Sequence, residues 1–276
     1  MNAPAKPKLP GSLEANRRLE QWLKFEADRT VTVFTGKVEI GQGIVTAMAQ
    51  IAAEELDVAP ARLRMVSGDT VLTPDEGHTS GSRSIDEGGT ALRYACAEAR
   101  DLLLREAAKQ LDIPADKLTV EDGVISGFDR IRKTSYWELP HATLLAREAT
   151  ASVKPKPAAR HSVVGTPLAR LDIPFKATGT PRFLQETPIP ADEAGMHEYL
   201  RTRPGNKAAV MAEKSDDAVR ARAKRKLSGR YTKPYIAHAS IGPSCALARI
   251  DGGRIEVWSH SQGVYQLRYD LATVLK

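Results

Sequence analysis

Only two cysteines occur in the 276 residues, Cys96 and Cys245. That excludes a disulfide framework. Two thiols alone hold neither a four-ligand iron–sulfur cluster nor a cysteine-rich zinc site. If the chain takes part in redox chemistry, electrons must leave through another subunit. No run of 18 apolar residues occurs, so no transmembrane helix is indicated and direct membrane insertion is not expected. The opening MNAPAKPKLPGSLEANRRLEQWLKF has no apolar core after its positive charges and does not read as a secretory signal. Arg17-Arg18 likewise lacks the apolar segment of a twin-arginine signal. A cytoplasmic location follows as the expectation, with a periplasmic or membrane-associated one possible through partners. The common nucleotide and metal signatures are also missing. No Gly-x-Gly-x-x-Gly follows a strand, no Gly-Lys-Ser/Thr follows the glycines, and no His-x-x-x-His pair or carboxylate cluster has ligand spacing.

What is present suits a globular protein: 42% hydrophobic and 27% charged residues, with 40 Lys+Arg against 34 Asp+Glu. Part of the basic excess is local, at Arg220, Arg222, Lys224, Arg225 and Lys226. Without interleaved aromatics this stretch reads as a solvated helix face, and no nucleic acid is expected as a partner.

Residues 1–29 are Pro-rich and then short-helical (Leu13 to Phe25), and read as an N-terminal arm. Residues 31–40 read as a strand. Ile44, Ala47, Met48, Ile51, Ala52 and Leu56 fall at helical spacing. Leu63 to Val66 reads as a short strand, and a polar loop follows it. A longer helix is expected from about Ser84 to Leu111, with Gly88-Gly89 weakening its first turns or admitting another backbone. LTVEDGVISG reads as a strand pair about an Asp-Gly turn, and SYWELPHATLLA as helical. Residues 151–190 read as loop and 216–229 as helix. Ala246 to Ile250 and Arg254 to Ser259 read as a hairpin, and a helix begins near Val264. Glu39, Glu54 and Glu55 read as strand and helix-surface residues. The fold class expected is α+β, a mixed helix-and-sheet domain plus a partial second one. Its parts are an arm (1–29), a first domain (30–153), a Pro-rich linker (154–204) and a second domain (205–276).

Two short stretches carry the chemistry. Gly41-Gln42-Gly43 lies at a strand-to-helix junction. A helix start presents unpaired N–H groups and partial positive charge, which favour an anion. The glycines let a ligand approach the backbone, and Gln42 can donate and accept at once. The plainer alternative is a glycine-rich turn with a solvated Gln. His78-Thr79-Ser80-Gly81-Ser82-Arg83-Ser84 then sets four hydroxyls and a glycine before the long helix, again an anion cradle. There the plainer alternative is a Ser82 or Ser84 N-cap. Two such cradles in one segment suggest a polyanionic organic cofactor lying across two helix starts. His78, His238 and His260 stand in polar contexts nearby, and each alone reads as an ordinary hydrogen-bonding residue.

The runs VTVFTGKVEIGQGIVTAMAQIAAEELDV, DTVLTPDEGHTSGSRSI and ALRYACAEARDLLLREAA, in this order, resemble the large subunit of molybdenum hydroxylases. These form the xanthine dehydrogenase and aldehyde oxidase family, and the likeness is strongest to its isoquinoline and nicotinate oxidoreductase branch. YTKPYIAHASIGPSCALARIDGGRIEVWSHSQGVYQLR resembles the start of that family's other cofactor-binding domain. The resemblance covers roughly residues 10–180 and 205–276.

The resemblance implies molybdopterin, as its cytosine dinucleotide or a related form, held by amides and hydroxyls rather than thiolates. Gly41, Gln42 and Gly43 would contact it near its dithiolene or oxo end. Thr79, Ser80, Gly81, Ser82 and Ser84 would hold its phosphates, Ser261, Gln262 and Gly263 would line the other side, and His238 would approach the substrate. It further implies hydroxylation of an N-heterocycle or aldehyde with oxygen from water, a glutamate as general base, and a small 2Fe-2S partner subunit. A further electron-transfer subunit is a possible additional partner. After DIPFKATGTPRF the expected body of an intervening substrate-side domain is absent. YQLRYDLATVLK has no closing cap, so the chain reads as cut, with the base glutamate and a later cofactor loop falling beyond Lys276. A catalytically inactive paralogue, acting as a binding or scaffold protein or a gene remnant, is the alternative. An exposed apolar interface is expected where the absent parts would pack.

Overall fold

A computed structural model of the chain describes residues 7–174, 222 and 246–275. The chain divides into two compact units, Met1–Thr180 with Ser259–Lys276, and Pro181–Trp258. Helices and sheets are mixed in an α+β fold. His238, Cys245, the basic run at 220–226 apart from Arg222, and the segment 185–215 lie outside the described residues.

In the first unit, β1 (Leu23–Phe25), β2 (Val31–Thr35) and β3 (Leu63–Ser67) form one sheet. β1 runs antiparallel to β2, and β3 runs parallel to it, with Val33 opposite Met65. A parallel partner needs a crossover. Helix α1 (Ile44–Leu56) supplies it. β2 is the middle strand and is buried on both faces, which suits its run of Val, Thr and Phe. It stops at Thr35 rather than running on to residue 40. A Cβ on Gly36 would lie 2.2 Å from the Pro74 carbonyl oxygen, so the chain leaves the sheet where that loop presses on it.

Helix α2 (Thr90–Leu111) packs on α1. Small residues at the buried positions, Ala52 on α1 and Ala91, Ala95 and Ala99 on α2, let the two axes approach. The first turns of the long helix, Ser84–Gly89, are a wide π turn. There the backbone of Gly11 comes so close that a Cβ would lie 2.2 Å from the Glu87 carbonyl oxygen. Residues 7–25 are therefore packed in, not a free arm. Leu9, Leu13, Leu19, Trp22, Leu23 and Phe25 join the core, and the Trp22 indole N–H donates to the Asn16 carbonyl at 2.8 Å. Leu13 to Phe25 is two 3-10 turns and a strand, because Leu23 and Phe25 face inward with Lys24 out.

A second sheet joins β4 (Thr119–Glu121), β5 (Val124–Ser126) and β6 (Lys133–Ser135). Asp122 and Gly123 both have positive φ, as the tight turn between β4 and β5 requires. SYWELPHATLLA is helical in two short pieces, a 3-10 turn at Tyr136–Glu138 and a helix after Pro140. Its Ser135 closes β6, and the second piece is α3 (His141–Leu145). The Tyr136 hydroxyl donates to the Leu56 carbonyl at 2.9 Å, closing the end of α1.

From Lys156 to Asp172 the chain forms a strap that runs back along α1. Glu54 and Glu55, read as surface residues, are buried beneath it. One Glu54 oxygen accepts the N–H groups of Ser162, Val163 and Val164 at 2.8, 2.6 and 3.0 Å. Glu55 accepts the Lys156 N–H at 3.0 Å, and the Lys156 ammonium reaches Asp57. Further along, Gln50 donates to the Val163 and Thr166 carbonyls, and Thr46 accepts from Leu171.

β7 (Ala246–Asp251) and β8 (Arg254–Ser259) form the expected hairpin. Helix α4 (Val264–Leu275) follows it in sequence and belongs to the first unit. Phe128, Ile131, Val71 and Leu72 are exposed apolar side chains of the first unit.

Candidate functional site

Gly41 and Gly43 both adopt positive φ, 103° and 83°. That is the left-handed region which side chains disfavour. The turn is stabilised from within by Glu39. One of its carboxylate oxygens accepts the N–H groups of Gly41 and Gly43, both at 2.9 Å, and the other accepts that of Val45 at 3.3 Å. Glu39 is thus a helix cap and not a strand residue. It satisfies amide donors at the start of α1 and complements the helix dipole.

Gln42 is clipped to the same turn. Its side-chain oxygen accepts the Ile40 N–H at 2.7 Å, and its amide donates to the Val38 carbonyl at 2.9 Å. An amide NH2 has two hydrogens. One is therefore left to donate outward, from a side chain already held in place and exposed to solvent.

The loop before α2 is built on two buried charges that the sequence reading missed. Glu76 accepts the Ser12 hydroxyl on one oxygen, and the Thr35 hydroxyl and Gly36 N–H on the other, at 2.7–2.8 Å. The Lys37 ammonium is buried as well, and donates to the carbonyls of Glu76 at 2.6 Å and His78 at 3.2 Å. Buried charges persist only when hydrogen-bonded in this way. Together the two residues fix the backbone of 76–78 against the end of β2.

Thr79 joins the three expected segments. Its hydroxyl oxygen accepts the Val38 N–H at 2.9 Å, and its own N–H donates to the Gln262 carbonyl at 2.7 Å. Thr79 is buried, so it works as a bracket. The hydroxyls of Ser80, Ser82 and Ser84 make no hydrogen bond among the described residues, and Ser80 and Ser82 are exposed. Neither Ser82 nor Ser84 caps the helix; Arg83 holds the cap position without a side-chain bond. Gly81 and Ser82 both have positive φ, which turns the loop outward.

Ser261 accepts the Gly263 N–H at 3.1 Å. Gly263 lies against the His78 imidazole, where a Cβ would stand 2.7 Å from the ring. The Tyr265 hydroxyl donates to the Thr73 carbonyl, and Arg268 donates to the Thr70 carbonyl at 3.1 Å, so the start of α4 is docked on the same loop. A cleft of about 470 Å3 opens beside it, lined by Glu76, Gly77, His78, Ser80, Gly81, Arg83 and Glu87. Among the described residues no group of three or more His, Cys, Asp and Glu gathers as a metal site. Taken over the Gly41 turn and the Ser80 loop together, the donors are hydroxyls, glycine backbone, the Gln42 carboxamide and the Arg83 guanidinium, with Glu76 and Glu87 beside them. That fits a polar, anionic organic group better than a bare metal ion.

A family profile described as "Molybdopterin cofactor-binding domain" matches residues 7–166. A nicotinate dehydrogenase subunit of Pseudomonas putida is 29% identical over 336 residues, spanning 94% of this chain and 28% of that protein. The beta subunit of isoquinoline 1-oxidoreductase from Brevundimonas diminuta is 27% identical over 71% of this chain and 29% of its own length. The chain thus spans less than a third of these curated relatives. Among solved structures, quinoline 2-oxidoreductase from Pseudomonas putida 86 aligns with a TM-score of 0.36 and 23% identity, covering 45% of this chain and 15% of that one.

Proposed function

This chain belongs to the molybdopterin cofactor-binding domain family of the molybdenum hydroxylases, and we propose that it supplies part of the cofactor cradle of a molybdenum-dependent oxidoreductase. The observation that carries this reading is Thr79, whose two hydrogen bonds draw the Gly41 loop, the Ser80 loop and the Gln262 turn together. On this reading Gly41, Gln42 and Gly43 face the reacting end of molybdopterin, with the free Gln42 N–H as donor. Ser80, Gly81, Ser82 and Ser84 receive its phosphates, in the cytosine dinucleotide form. Thr79 locks these segments rather than binding, and Ser261, Gln262 and Gly263 close the other side.

When bound, the cofactor would supply a metal redox centre that inserts a water-derived oxygen into a C–H bond and releases two electrons and two protons. The substrate class is an N-heterocycle or aldehyde, and the electrons pass to a small 2Fe-2S partner. Glu39, Glu54, Glu55 and Glu76 are each committed to main-chain or hydroxyl donors, so the base glutamate is none of these four. Among the described residues no helix is long and apolar enough to cross a membrane.

A catalytically inactive paralogue is the second reading. It is favoured by the alignment to the nicotinate dehydrogenase relative, which runs over more positions than this chain possesses. Co-expression with a 2Fe-2S subunit, followed by assay of heterocycles and aldehydes in 18O-labelled water with a dye acceptor, separates the two. Labelled hydroxylated product supports the enzyme. Bound pterin without turnover supports the binding protein.

A further inference from the structure

The strap along α1 ends where Arg170 meets the glycine loop. Its guanidinium binds both oxygens of Asp172, from Nε at 2.9 Å and from Nη2 at 2.7 Å. The remaining arm, Nη1, donates to the Gly41 carbonyl at 2.9 Å, and Nη2 stands 3.4 Å from the Glu39 carboxylate that caps the loop. The guanidinium also packs against Gly43, where a Cβ would be 3.6 Å from Cζ.

The loop needs such a hold. A Cβ on Gly41 would have no neighbour within 4 Å, so packing does not define its position. Two glycines at positive φ leave the unfastened turn many conformations. Its bonds to Glu39 and Gln42 hold it to its own flank and to the first turn of α1, and Thr79 holds Val38 ahead of it, but none of these ties it to the strap. Arg170 does, because a planar fork can serve a carboxylate and a carbonyl at once in fixed geometry.

We propose that Arg170, oriented by Asp172, is a positioning residue. It fastens Gly41-Gln42-Gly43 to the strap and so presents the free Gln42 N–H in one direction. What that N–H meets rests on the molybdopterin reading above; the fastening does not.

The test is hydrogen exchange on the full chain and its Arg170→Gln, Arg170→Lys and Asp172→Asn variants. Peptides covering 39–45 should exchange about tenfold faster in Arg170→Gln, with peptides of β2 and α2 and the thermal midpoint little changed. Arg170→Lys should not restore protection, because an ammonium lacks the planar fork that binds both Asp172 oxygens while a third N–H reaches the Gly41 carbonyl. Unchanged exchange at 39–45, or an equal rise throughout the chain, would overturn the proposal. Pterin content is the second readout, and a severalfold fall in Arg170→Gln is expected. Loss of loop protection with undiminished pterin would overturn the presenting role. A wild-type chain without pterin would sink the molybdopterin reading, while the exchange data still decide the fastening.

Discussion

The main-chain N–H of Thr79 donates to the Gln262 carbonyl at 2.7 Å, joining two loops far apart in sequence. The same residue accepts the Val38 N–H on its hydroxyl. Thr79→Val keeps the shape and the first bond but strands the Val38 donor. A stranded, partly buried donor costs about 1–3 kcal/mol. Urea denaturation should show a loss in that range, and the 37–43 amides should lose protection more than those of α2.

Gly36 and Gly41 should differ in how they resist a methyl group. At Gly36 the Cβ would meet the Pro74 carbonyl oxygen at 2.2 Å, backbone that cannot swing aside. Gly36→Ala should destabilise by about 1–3 kcal/mol, as overpacking does. At Gly41 there is room, but φ is 103°, so Gly41→Ala carries only backbone strain of roughly 1–2 kcal/mol. Thermal denaturation should rank the two, and only Gly36→Ala should expose the hydrogen bonds of Glu76 to exchange.

The strap should loosen in acid. Burial raises the Glu54 carboxyl pKa, but the N–H groups of Val163, Val164 and Ser162 and the Lys156 charge outweigh it and hold it below the usual range. A group whose folded-state value is depressed contributes stability above its ordinary value, about 4.3. That contribution fades as pH falls through the lower folded value. Protection factors at 162–164, taken relative to the intrinsic exchange rate at each pH, should therefore fall below about pH 4. Glu54→Gln should be looser at neutral pH, by about 1–3 kcal/mol, and nearly flat across that window.

Where the signal was local, the sequence carried it. α1 was legible because six apolar residues keep one face, and the β4–β5 turn because Asp-Gly tolerates positive φ. Leu13 to Phe25 misled because a three-residue strand is too short to show its alternation against flanking leucines. Glu54 and Glu55 carry the charge typical of a helix surface, yet the strap that buries them arrives about a hundred residues later. Glu39, Glu76, Lys37 and Arg170 were missed because each bonds at least one main-chain group, which a list of side chains does not show. The Gly41, Ser80 and Ser261 segments could be named in advance; that Thr79 ties them together could not.

Molybdenum and pterin content per chain tests the central claim most directly, measured on protein co-expressed with cofactor-synthesis machinery and a 2Fe-2S subunit. Near-stoichiometric metal and pterin are predicted for the natural chain. A severalfold fall is predicted for Gln42→Ala and for Ser80→Ala combined with Ser82→Ala, with thermal stability unchanged. A folded chain that carries neither metal nor pterin would contradict the account.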